Sequence, residues 1–110
     1  MTLEFDGKIY PTDPEGFLLN PEQWSENLAR KMAQDDRCEL GPDHWQVICF
    51  VREYYAQYAI APPIRILVRH MGNKLGREKA NSPYLYELFP HGPAKQACRY
   101  AGLPKPTGCI

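Results

Sequence analysis

The chain has 110 residues, of which 44% are hydrophobic and 24% charged, with no net formal charge. That is one domain of ordinary globular composition, which excludes a wholly disordered chain, a collagen and a coiled-coil rod. No run approaches the roughly 18–20 apolar residues of a membrane span. The neutral total hides a split: residues 1–63 hold five Lys/Arg and eleven Asp/Glu, residues 64–110 eight and two. A basic C-terminal half predicts an anionic partner or the acidic face of another protein, unless the two halves neutralise each other when they pack.

In chain order, residues 3–5 and 8–10 flank Asp6-Gly7. This dipeptide suits a type I′ turn, so residues 3–10 are predicted as a β-hairpin. Pro11, Pro14 and Gly16 break the chain, and Phe17, Leu18 and Leu19 form a buried connector. Asn20-Pro21 reads as the N-cap and first residue of a helix running to about Asp36, with Trp24, Leu28 and Met32 as its core stripe. A second helix starts at Gly41-Pro42-Asp43 and runs to about Tyr58. Its apolar residues lie nearly all round, so it is expected to be the central, mostly buried helix, with Cys49 in the core. Ala61-Pro62-Pro63 forces a turn into a third helix ending near Leu75, with Gly76 as a left-handed cap. Its Ile64, Ile66, Leu67, Val68 and Met71 are expected inward, and Arg65, Arg69 and Lys74 outward. After a polar link, Ser82-Pro83 caps a short helix over residues 84–89, and a last helix covers about 93–101. Residues 102–110, GLPKPTGCI, contain two Gly and two Pro and cannot continue it. They are expected to form a flexible arm reaching about 30 Å. The predicted architecture is a mainly α, compact helical bundle over residues 1–101 with a small N-terminal hairpin, followed by that arm.

The N-terminus, MTLEFDGKIYP, has no apolar stretch of a secretory leader. A cytoplasmic, reducing location is therefore expected, and a structural disulfide framework is not. The four cysteines show neither a CxxC pair nor the spacing of a zinc site, and no glycine-rich phosphate loop occurs. Cys109 stands out because free cysteines are usually buried, whereas this one lies on a segment unsuited to a core. An exposed thiolate there can attack a persulfide or disulfide sulfur. Lys105 would favour the thiolate, and Lys95 and Arg99 on the last helix would do so at Cys98 as well. Ten residues separate Cys98 from Cys109. A folded-back arm would let them pair in a redox or sulfur-transfer state, although Cys98 can equally be a small core residue. Cys38 reads as incidental. The three histidines show no catalytic or metal-binding arrangement; His91, near the start of the last helix, could approach the arm but reads first as an ordinary turn residue. A second reading takes the two helices around Pro62-Pro63, with Arg65, Arg69, Lys74, Arg77 and Lys79, as a helix-turn-helix DNA-binding element.

The stretch NSPYLYELFPHGPAKQACRYAGLPKPTGCI (81–110) resembles the C-terminal block of the DsrC/TusE family of sulfur-relay proteins, and the resemblance extends through PDHWQVICFVREYYAQYAIAPPIRILV (42–68) and DGKIYPTDPEGFL. It implies a helical fold with an N-terminal hairpin, a helix-turn-helix-like pair and a mobile C-terminal arm. It further implies cytoplasmic sulfur traffic without a metal or organic cofactor, and the penultimate cysteine, Cys109, as the persulfide carrier. In the family's tRNA branch the implied partners are a TusBCD-like donor complex and an MnmA-like tRNA thiolase acting on a wobble uridine. In its other branch the arm enters sulfite reductase, and Cys98 and Cys109 are joined through a trisulfide. Members of the tRNA branch typically keep only the penultimate cysteine, whereas this sequence has both. Direct nucleic-acid binding and membrane association are not implied.

Overall fold

The computed structural model describes residues 1–76, 78 and 81–106. Strands β1 (Thr2–Phe5) and β2 (Lys8–Pro11) pair antiparallel, with Thr2 opposite Pro11 and Phe5 opposite Lys8. Asp6 and Gly7 take φ values of 51° and 76°, the two positive angles that a type I′ turn requires. A further bridge joins Thr12 to Leu18. Within that loop the Asp13 carboxylate accepts the Glu15 and Phe17 N–H groups. The turn sends Phe17 and Leu18 into the core, leaves Leu19 exposed instead of buried as expected, and leaves Glu15 facing the C-terminal segment.

The single helix expected from Asn20 is in fact two elements. Asn20 caps one 3-10 turn, Pro21–Gln23, and Trp24 then takes extended backbone. Helix α1 (Glu26–Asp35) starts afresh at Ser25, whose hydroxyl accepts the Leu28 N–H. A serine ahead of a good helical run competes successfully as N-cap. The break releases Trp24 from helical register, so that its indole reaches the far end of the chain.

Helix α2 (Pro42–Tyr58) has the predicted bounds but not the predicted burial. Only Val47, Ile48 and Val51 are buried, a stripe about 100° wide at 3.6 residues per turn. Cys49 falls on the opposite side and is exposed, not in the core. The aromatic residues misled the count. Phe50, Tyr54 and Tyr58 pack along one another at 5.9 and 4.5 Å between ring centroids, and Tyr58 is 53% exposed. Of the five residues expected inward on helix α3 (Ile64–Leu75), Leu67 and Met71 are buried, whereas Ile64, Ile66 and Val68 are only half-buried, and His70 stacks on Phe50 at 4.0 Å. Gly76 has φ 98° and ψ 164°, outside the left-handed helical well. Helix α4 (Ser82–Leu88) is capped by Asn81, not Ser82: the asparagine oxygen accepts the Tyr84 N–H at 2.8 Å.

The central role expected of α2 belongs to α5 (Pro93–Tyr100). Pro93, Ala94, Gln96, Ala97, Cys98 and Tyr100 are all buried there, leaving only Lys95 and Arg99 partly in water. It packs against α1, α2 and α4. Its alanines have little side chain to bury, which is why apolar periodicity undervalued it, and which lets neighbouring helices approach closely. Phe17, Leu28, Ile48, Leu85 and Phe89 complete the core around it. Among the described residues no helix is long and apolar enough to cross a membrane.

Candidate functional site: the end of helix α5

A helix leaves its last four carbonyls without intrahelical partners, and they normally turn to water. At the end of α5 all four are satisfied by protein. The Cys98 carbonyl accepts the Leu103 N–H at 3.0 Å, and the Arg99 carbonyl accepts the Gly102 N–H at 3.2 Å. Together with Gly102 at φ 73°, these bonds make a Schellman motif. The Tyr100 carbonyl accepts the Trp24 indole N–H at 2.6 Å. The Ala101 carbonyl accepts a guanidinium N–H of Arg52 at 2.6 Å. Arg52 also lies over the Trp24 ring, 4.0 Å from its centroid, where the ring face attracts the cation. Trp24 in turn covers Gly102 so closely that a Cβ there would sit 2.5 Å from the indole. Gly102 and Leu103, the first residues of the predicted arm, are therefore buried against the body. Residues 107–110, including Cys109 and its expected role, lie outside the described residues.

Cys98 sits in the last turn of α5 with no exposed surface. Burial pushes its thiol up to about 12, so thiolate at neutral pH is on the order of one part in 10⁵. The cations expected to favour a thiolate there are engaged elsewhere. Arg99 pairs with Asp36 at the end of α1. Lys95 pairs with Glu15 at 2.8 Å, and Lys105 pairs with the other oxygen of the same carboxylate. Hydrogen bonds from Lys105 and then Lys95 hold Glu15 below the usual carboxylate range. In this conformation Cys98 is a core residue, and the charge support predicted for its thiol is not seen. Part of the sequence-level charge split is thus neutralised by contacts between the acidic N-terminal half and the basic C-terminal half.

The same helix anchors a buried polar chain. The Gln96 amide donates to the Tyr100 hydroxyl at 2.7 Å, and that hydroxyl donates to Asp36 at 2.7 Å. Gln96 also accepts the His91 backbone N–H. Glu15, Phe17, Asp36, His91, Lys95 and Arg99 line a shallow cavity of about 360 Å³ beside the helix. Nearby, His44 accepts the Gly41 N–H at Nδ1 and donates from Nε2 to the Leu88 carbonyl at 2.9 Å. Cys38 lies 3.9 Å from that imidazole, and burial raises its thiol. With Nε2–H committed to Leu88, the imidazole is not placed to take the thiol proton.

Sequence reasoning named Lys95, Cys98, Arg99, Lys105 and Cys109; the structure brings the first three together on one helix, with Lys105 held beside them through Glu15. Trp24, Arg52, Gly102, Asp36 and Glu15 were missed. Arg52 left one signal, as a lone cation among apolar residues on α2. Trp24 left none, because its partner is 76 positions away.

A family described as "DsrC like protein" matches residues 4–110. Proteins named Sulfurtransferase TusE from Escherichia coli K12 and Salmonella typhimurium LT2 are 54% and 55% identical over 108 residues, 98% of this chain and 99% of theirs. The solution structure of Allochromatium vinosum DsrC superposes with a TM-score of 0.86 at 57% identity, covering 99% of this chain and 97% of that one. The oxidized gamma-subunit of the dissimilatory sulfite reductase (DsrC) from Archaeoglobus fulgidus gives 0.90 at 46% identity, with both chains covered in full.

Proposed function

The chain belongs to the DsrC-like protein family, and from that premise we propose that it carries sulfur as a persulfide on Cys109 in a relay leading to tRNA thiolation. It is a sulfur-relay carrier of the sulfurtransferase class, and its partners are other proteins of such a relay. The observation that carries the finer reading is the likeness, over 98% of the chain, to proteins named Sulfurtransferase TusE. The Cys109 thiolate attacks the outer sulfur of a donor persulfide. The donor's S–S bond breaks, its thiolate leaves with the electron pair, and the sulfur is now bonded to Cys109. An acceptor thiolate then removes it by the same step. A TusBCD-like donor and an MnmA-like thiolase in the cytoplasm suit this chemistry, and it calls on no metal or organic cofactor.

In this reading residues 1–101 are the body and 102–110 the arm. Because Leu103 is packed, chain geometry limits the reach from the body to Cys109 to six residues, roughly 20 Å. The test is Cys109→Ala treated with a persulfide donor and read by peptide-resolved mass spectrometry. Loss of the one-sulfur adduct from the C-terminal peptide is expected; undiminished transfer of sulfur to the acceptor by the variant would overturn the reading.

A second reading, a partner of dissimilatory sulfite reductase with a Cys98–Cys109 trisulfide, is favoured by the presence of both cysteines and by the likeness to the Archaeoglobus gamma-subunit. Affinity capture with the full chain, and with residues 102–110 deleted, separates the two. Arm-dependent recovery of a tRNA thiolase supports the first, and of sulfite reductase the second.

A further inference from the structure

Two thiols on one carrier create a hazard. A persulfide on Cys109 has two sulfurs, and a neighbouring thiolate can attack the one bonded to carbon. If Cys98 did so, a Cys98–Cys109 disulfide would form and hydrosulfide would leave with the electron pair. The two cysteine sulfurs would be oxidised and the carried sulfur reduced to sulfide. Nothing from outside is needed, and the cargo would be lost before delivery.

The end of α5 stands against this reaction. Cys98 is fully buried in the turn whose four terminal carbonyls, Cys98 to Ala101, are all held. Helix ends ordinarily fray, because their last carbonyls trade protein partners for water at little cost. Here fraying would break the Schellman bonds and the Trp24 and Arg52 hydrogen bonds together, and the last two donors are held against each other by their cation–ring contact. Two of those side chains come from separate elements, Trp24 ahead of α1 and Arg52 on α2. The cation that follows Cys98 in sequence is turned to Asp36 instead of the thiol. Burial that holds the thiol up to about 12 acts in the same direction.

We propose that Trp24, Arg52 and Gly102 form a clamp that keeps Cys98 away from the Cys109 persulfide and so protects the carried sulfur from discharge as hydrogen sulfide. They are positioning residues: they act through the last turn of α5 and touch no reacting atom. Two-cysteine chemistry, including a trisulfide, requires the clamp to open first. This inference rests on the persulfide reading above.

The experiment uses the full chain with Cys38 and Cys49 replaced by Ser, so that the exposed Cys49 and the half-buried Cys38 do not contribute. Cys109 is loaded with inorganic polysulfide, excess reagent is removed, and sulfide release and the mass of the C-terminal peptide are followed. The otherwise unaltered chain and Cys98→Ala are expected to hold the persulfide for the same time. Arg52→Gln or Trp24→Phe should speed sulfide release roughly ten- to hundred-fold, the factor for losing one strong hydrogen bond, and leave a Cys98–Cys109 disulfide. Adding Cys98→Ala to either variant should restore the slow rate, which a merely structural effect would not do. Release that is already slowed by Cys98→Ala alone, or that stays unchanged in the clamp variants, overturns the proposal. If neither clamp variant folds, the comparison with Cys98→Ala alone decides. Failure of Cys109 to load at all would instead remove the carrier reading beneath it.

Discussion

Gly102→Ala is the sharpest probe of the arm's root. Gly102 has φ 73°, and a left-handed conformation costs a non-glycine residue about 1 kcal/mol or more. The added Cβ would meet Trp24 side-chain atoms at 2.5, 2.7 and 2.8 Å, closer than carbon atoms tolerate. The indole must move, which adds about 1–3 kcal/mol of overpacking. Its hydrogen bond to the Tyr100 carbonyl is then strained or lost, adding about 1 kcal/mol. The sum is about 3–5 kcal/mol. At about 4 °C per kcal/mol for a domain of this size, Tm should fall by about 12–20 °C. Gly7→Ala is the matched control. Its φ is 76°, but nothing lies within 4 Å of the Cβ position, so only the conformational cost of about 1 kcal/mol, or about 4 °C, applies. Circular-dichroism melts of both variants provide the comparison. In a Trp24→Ala background the Gly102→Ala increment should shrink to the Gly7→Ala value. Equal losses for the two glycines in the native background would refute the argument that the indole sets the cost.

Two other outcomes are expected. His44 is held neutral, because burial lowers its pKa despite opposing effects of the Leu88 carbonyl and Asp43. The folded-state pKa lies below the unfolded 6.5, so the unfolded chain binds more protons in the window between them. The contribution is fully present above pH 6.5 and is lost as pH falls towards the lower folded value. Urea titrations from pH 7.5 to 5 should show declining stability, and His44→Ala should be less stable at pH 7.5 with a flatter profile; an unchanged slope in the variant would exclude His44 as the source. Asp36→Ala removes the acceptor of Tyr100 and the partner of Arg99, and should cost about 2–3 kcal/mol in denaturant. A loss no larger than that of Lys31→Ala, whose Asp35 contact is an ordinary surface pair, would show that the buried chain contributes little.

Local chemistry was legible where it was self-contained. Asp6-Gly7 specifies its own turn, Pro93 marks its own helix start, and Leu67 and Met71 share a face whatever lies opposite. What failed was context. Asn20 and Ser25 are both competent caps, and the second one starts α1, leaving Trp24 outside the helix to bond Tyr100. The aromatics of α2 look like core residues, yet they cover one another in a half-open groove. Cys98 shows the limit most plainly: Lys95 and Arg99 flank it in sequence, but Glu15 and Asp36 claim both charges. The family was readable from the block at 81–110 because those residues recur together, whereas the clamp that holds the block in place is spread over three separate segments.

The bond between Trp24 and Tyr100 also bears on the order of assembly. During synthesis Trp24 and Arg52 emerge from the ribosome long before the carbonyls they are meant to hold. Until the last helix clears the exit tunnel, the indole lacks its Tyr100 acceptor, the guanidinium lacks its Ala101 acceptor, and the faces of α1 and α2 that pack on α5 are uncovered. The carrier therefore gains its shape only once α5 has emerged, in a closing step that joins segments 76 positions apart.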